Sequence, residues 1–110
     1  MAIDPFGHIV VVDHSNKRVQ IFDSNGSFVR SFGSKGSKDG QFEAPLGVGV
    51  DMRRGRIMVT DVKNHNVQIF DNEGSFLFKI GQYGDGDGEL NYPSGVAIDL
   101  EGKVLVAPRT

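Results

Sequence analysis

The chain has 110 residues, a formal net charge of −2 and no cysteine. Its length suits one ordinary domain. Its near-neutral charge argues against a basic nucleic-acid module, and the missing thiols exclude disulfides, thiolate zinc sites and cysteine nucleophiles within these residues. No apolar run approaches the roughly 18 residues that a membrane span needs. Met1-Ala2-Ile3-Asp4-Pro5 has neither the basic start nor the apolar core of a signal peptide, so a cytoplasmic setting is expected.

The strand-like runs come in order as Met1–Asp4, Ile9–Asp13, Val19–Asp23 and Phe28–Gly33, then Val48–Asp51, Ile57–Asp61, Val67–Asp71 and Phe76–Gly81, and finally Val96–Asp99 and Val104–Ala107. Val, Ile and Phe dominate them, the residue types that suit a pleated surface. Val19 and Ile21 alternate with Gln20, as Val67 and Ile69 do with Gln68, which reads as a half-buried strand of period two. Ser24-Asn25-Gly26 and Asn72-Glu73-Gly74 are hairpin turns between the third and fourth runs. Pro5–His8, Arg53-Arg54-Gly55 and Glu101-Gly102 join the first and second. Ser34–Gly47 and Gln82–Gly95 are longer loops, each with one apolar residue, Phe42 or Leu90, read as a plug between neighbouring sheets. Pro45 and Pro93 then hold the chain extended on its way into the next run.

The order of these runs repeats. Asp13–Gly47 aligns without a gap to Asp61–Gly95, and 16 of 35 pairs are identical, including Val19–Asp23 with Val67–Asp71. A fixed period of 48 residues marks a repeat architecture. Four antiparallel strands per period is the arithmetic of a β-propeller blade. The expected organisation is residues 1–47 as one blade, 48–95 as a second and 96–110 as the start of a third.

The stretches Gly47–Asp51, Gly55–Asp61 and Asn64–Phe70, with Asp13–Phe22 as the second copy of the signature, resemble NHL repeats, the six-bladed propeller units of TRIM-NHL proteins. The resemblance covers essentially the whole chain. It departs at Val106-Ala107-Pro108-Arg109, where an Asp would follow the strand, and the third copy lacks its last two strands. The fold class is therefore all-β, a propeller fragment of four-stranded antiparallel blades. A six-bladed ring needs about 280 residues at this period. A cut ring exposes strand edges, so the isolated chain is expected to be marginally stable and prone to associate.

Asp13 and Asp61 read as Asx-type caps for the turns they open. Asp85-Gly86-Asp87-Gly88-Glu89 invites a calcium reading, but a twelfth-position Glu is absent and a solvated turn is the better description. His8, His14 and His65 do not form a metal set, and no catalytic or phosphate-cradling motif occurs. No catalytic residue, metal or cofactor is expected. Strand parity places the second-to-third loops and the inter-blade loops on one face. That face carries His14, Asn16, Lys17, Arg18, Lys35, Lys63, Asn64, His65, Asn66, Tyr83 and Tyr92, together with Ser15 and Lys38. Amides, imidazoles, cations and aromatics of this kind stack on and read single-stranded bases. The resemblance implies a non-catalytic module presenting loops to protein or RNA, as the recruiting region of a ubiquitin ligase whose RING domain lies elsewhere. Asp85, Asp87 and Glu89 on the same face make its charge mixed. The alternatives are a metal-assisted lyase-like propeller, disfavoured by inner strands without histidine, and purely structural blades.

Overall fold

The computed structural model describes residues 1–81, together with the backbone of two further strands at 93–98 and 104–108. The first sheet is formed by β1 (Ala2–Ile3), β2 (Ile9–Asp13), β3 (Arg18–Phe22) and β4 (Phe28–Phe32). Next come two short strands, β5 (Ser34–Lys35) and β6 (Gln41–Phe42), which pair in parallel with each other. The second sheet holds β7 (Pro45–Val50), β8 (Ile57–Asp61), β9 (Asn66–Phe70) and β10 (Phe76–Ile80). A two-stranded antiparallel pair follows, β11 (Pro93–Ile98) and β12 (Val104–Pro108). In both large sheets each strand pairs antiparallel with the one before it, so sequence order is spatial order. The innermost strands β1, β7 and β11 are neighbours, the arrangement that adjacent propeller blades require.

Strand ends follow the punctuation in the sequence. Asp4, Asp23, Asp51 and Asp71 close strands and turn their carboxylates back onto the next amides. Asp23 accepts Asn25 N and Ser27 N at 2.9 Å each, and Asp71 accepts Glu73 N and Ser75 N at the same distance. This is the local competition of Asp with the ladder that ends a strand and starts a turn.

The core lies between the two sheets. Val10, Val12, Val19, Ile21 and Phe32 project from one face of the first sheet towards Val48, Val50, Ile57, Val59, Phe70 and Phe76 of the second. Phe42 fills the space between them and is fully buried, its ring centroid 5.8 Å from that of Phe70. Its role as a plug is borne out; Leu90 lies outside the described residues. Phe32 also meets Phe70, at 4.7 Å. Two glycines make this close packing feasible. A Cβ on Gly33 would sit 2.5 Å from the Phe42 ring, and one on Gly74 2.7 Å from the Phe32 ring, with φ of +99° and +93°. Both positions need glycine for backbone conformation and for space. Arg30 adds a bond across the same seam, from its guanidinium to Asn72 O at 3.1 Å.

Two expectations need correction. The innermost strand of the second sheet starts at Pro45, not Val48. A bulge at Leu46 shifts the register between Pro45 opposite Asp61 and Gly47 opposite Thr60. The Thr60 hydroxyl accepts Gly47 N at 2.8 Å and holds the bulge in place. The two middle strands of the second sheet are also not half-buried. All five residues of β8 and all five of β9 are buried, Gln68 included, because this sheet is covered on both faces.

Candidate functional site

The β2–β3 and β8–β9 turns sit at the same end of the sheets as the Gly33–Ala44 connection. Both follow one path, an aspartate, three turn residues and then a residue in the left-handed region, Lys17 at φ 55° and His65 at φ 53°. That conformation costs a non-glycine residue about 1–2 kcal/mol. The aspartates hold the turns in it.

Asp61 is fully buried and accepts five hydrogen bonds. Three come from its own turn: Lys63 N at 3.1 Å, Asn64 N at 3.0 Å and Asn64 Nδ2 at 2.9 Å. The other two come from the connection between sheets, Glu43 N at 2.8 Å and Ala44 N at 3.0 Å. A local cap was expected; the carboxylate also clasps the incoming chain. Gln68 works beside it. Its Oε1 accepts Gly40 N at 2.8 Å and its Nε2 donates to Gln41 O at 2.6 Å.

The corresponding residues of the first sheet bond differently. Asp13 accepts Asn16 N at 3.2 Å, Asn16 Nδ2 at 2.8 Å, Arg18 Nε at 3.4 Å and Gln20 Nε2 at 3.2 Å. The Asn16 donors foremost, with Arg18 after them, hold its carboxyl below its ordinary value.

The connection also ties the two turns together. His14 Nδ1 lies 3.0 Å from Pro45 O, and Asn64 Nδ2 donates to Gly36 O at 3.1 Å. Several residues expected to read a partner are thus engaged internally, namely His14, Asn16, Arg18 and Asn64. Asn66 is buried in β9, and its Oδ1 has no hydrogen-bond partner among the described residues. Lys17 and His65 are half-buried, whereas Lys35, Lys38 and Lys63 are exposed. Tyr83, Tyr92 and the Asp85–Glu89 stretch lie outside the described residues. Gln20, Gln68, Glu43 and Ala44 were not expected to matter at this end. The recurrence of Gln at the same place in both copies was the available signal.

Comparison with known proteins agrees with the geometry. A family model described as a 6-bladed beta-propeller, DUF5128, matches residues 43–107. A stretch of 48 residues, 44% of the chain, is 40% identical to the RING finger protein nhl-1 of Caenorhabditis elegans, of which it spans 5%. Among solved structures, 97% of the chain superposes on hydrazine synthase of Kuenenia stuttgartiensis with a TM-score of 0.76 at 16% identity. A Bacteroides thetaiotaomicron protein gives 0.76 over 92% of the chain at 21% identity, and a Bacteroides fragilis protein 0.71 over 91% at 22%. The chain spans 27% to 30% of those three structures, and at these identities the similarity is one of fold.

Proposed function

Because the chain belongs to the DUF5128 family of 6-bladed beta-propellers, we propose that it acts as a non-catalytic interaction module whose turn end docks a partner protein. Within a longer polypeptide related to the nematode RING finger protein, it would recruit the substrate of a ubiquitin ligase. One observation carries this reading. The side chains best suited to base recognition, Asn16, Arg18 and Asn64, already hydrogen-bond within the chain. Beside the exposed His14, Ser15 and Asn16, the turn end leaves outward a set of separate lysines, Lys35, Lys38 and Lys63, on a surface of mixed sign with the exposed Asp39 and the half-buried Glu43. Point charges of this kind suit the polar rim of a protein interface.

A second reading, single-stranded RNA, rests on the same three exposed lysines, which can neutralise phosphates. Site-specific photo-crosslinking in the full-length protein separates the two. A crosslinking side chain at Lys63 or Lys35 is expected to capture protein, and one at Arg54, at the opposite end of the sheets, is not. Capture of RNA from Lys63, with affinity falling steeply as salt rises, transfers the assignment to RNA. Equal capture from both ends defeats both readings.

A further inference from the structure

Among the described residues, Leu46 is the sole large apolar side chain exposed at the turn end, at 46%. An exposed leucine by itself is ordinary; the backbone that carries this one is not. Leu46 is the extra residue of the β7 bulge, set between Pro45 opposite Asp61 and Gly47 opposite Thr60. A bulge of this kind re-aims a side chain. The same irregularity recurs in β11 between Pro93 and Gly95, where the sequence has Ser94. The bulge therefore accepts a small polar residue, and the sheet does not ask for leucine at 46. The chain on both sides of Leu46 is strapped down. Ala44 O accepts Val62 N at 3.1 Å, Pro45 O lies 3.0 Å from His14 Nδ1, and Gly47 N donates to the Thr60 hydroxyl at 2.8 Å. A side chain mounted on backbone held this way costs less to order when a partner covers it.

The charges around it define the partner's sign. Lys63 follows Val62, the residue that Ala44 O engages, and Lys35 precedes Gly36, whose carbonyl accepts Asn64 Nδ2 at 3.1 Å. Among the described residues, Lys35, Lys38 and Lys63 make no ion pair. The carboxylates of this end are largely engaged. Asp13 holds Asn16 and Arg18, Asp61 holds its own turn and the incoming connection, and Asp39 lies 3.3 Å from Lys79 Nζ. The half-buried Glu43 is left to set against three exposed lysines.

We propose that Leu46 is the apolar anchor of the turn end, and that it enters a pocket on a partner protein whose rim is acidic. This rests on the protein-docking reading above and adds the chemistry of the contact. Leu46 supplies the dry centre of the interface, and Lys35, Lys38 and Lys63 supply a charged rim that selects carboxylates.

The test uses the full-length protein with a crosslinking side chain in place of Lys63. Leu46→Ser, the residue of the β11 bulge, is expected to lower protein capture by about tenfold or more, the effect of withdrawing one leucine from an apolar pocket. Leu77→Ser, at a residue 40% exposed on β10, is expected to leave capture unchanged. The partner peptide joined at residue 63, sequenced by mass spectrometry, is expected to carry Asp and Glu beside large apolar residues. Chemical denaturation is expected to give Leu46→Ser the midpoint of its parent. Capture that survives Leu46→Ser overturns the anchor and leaves protein docking at the turn end standing. A basic or uncharged partner peptide overturns the acidic rim. A lowered midpoint in Leu46→Ser overturns the proposal as well, because the leucine would then be packed within the protein. Absence of any protein capture from residue 63 in the parent removes the docking reading itself, and this inference with it.

Discussion

The two sheets share their key residues at matching places, yet one buries what the other leaves open. Asp61 and Gln68 are sealed and bonded to the chain that enters their sheet, while Asp13 and Gln20 bond to their own sheet. Equal sequence has produced unequal environments because each repeat finishes its structure on its neighbour. Stability in such arrays is a sum of unit terms and interface terms, and the difference between the copies isolates the interface term.

Substitutions at paired positions can break or sharpen this comparison. Phe42→Ala should have the largest effect, a loss of about 3–5 kcal/mol for a fully buried aromatic, read by chemical denaturation. A smaller loss would mean that the two sheets can close over the gap. Asp61→Ala comes next. It orphans the Glu43 and Ala44 amides as well as its own turn, at about 1–3 kcal/mol for each buried group left unbonded. Asp13→Ala should cost less than Asp61→Ala, because it removes a turn cap that water can partly replace. Equal effects at the two aspartates would show that the connection contributes nothing to the clasp.

Gly26 and Gly74 form a second pair. Both have positive φ, but a Cβ at Gly26 meets open space and one at Gly74 meets the Phe32 ring. Gly26→Ala should therefore cost about 1 kcal/mol of backbone strain. Gly74→Ala should cost more by the displacement of Phe32, and the difference in midpoint between the two variants measures the seam. Lys17→Gly should go the other way, stabilising the first turn by about 1 kcal/mol through relief of the left-handed conformation. Acid should have the smallest effect. The Asp13 carboxyl is depressed in the folded chain, so its contribution is present above the ordinary carboxylate range and is lost as pH falls through the lower folded value. Asp13→Asn should flatten that part of the acid limb in a denaturation series.

Most of the strand order was legible in the chain itself. Ile9–Asp13 and Ile57–Asp61 coincide with β2 and β8, and other predicted ends fall within a few residues of those seen. Hydrophobic runs punctuated by Asp and Gly suffice for that, because strands and hairpins are decided locally. The Phe42 plug was legible too, as a lone aromatic in a glycine-rich loop. The clasp was not. A glutamine between two β-branched residues looks the same whether its face meets water or another sheet, and only the second sheet shows Gln68 sealed. The bulge at Leu46 escaped for a similar reason, since it depends on a hydroxyl of Thr60 across the ladder. The candidate turn residues were placed at one end by strand parity. Which of them would be consumed by the connection required knowing where Gly36 and Pro45 pass.

The Gly33–Ala44 connection has one more implication, for anyone who would cut or transplant these repeats. It leaves the first sheet with Phe32 and closes on Asp61 and Gln68 of the second. A cassette severed at the start of β7 would arrive without its wedge and with its buried carboxylate stripped of two donors. One beginning at Gly33 and running through Ile80 would travel with both. The exchangeable module is thus offset from the visible sheet by a dozen residues, and engineered arrays of this protein should be spliced there.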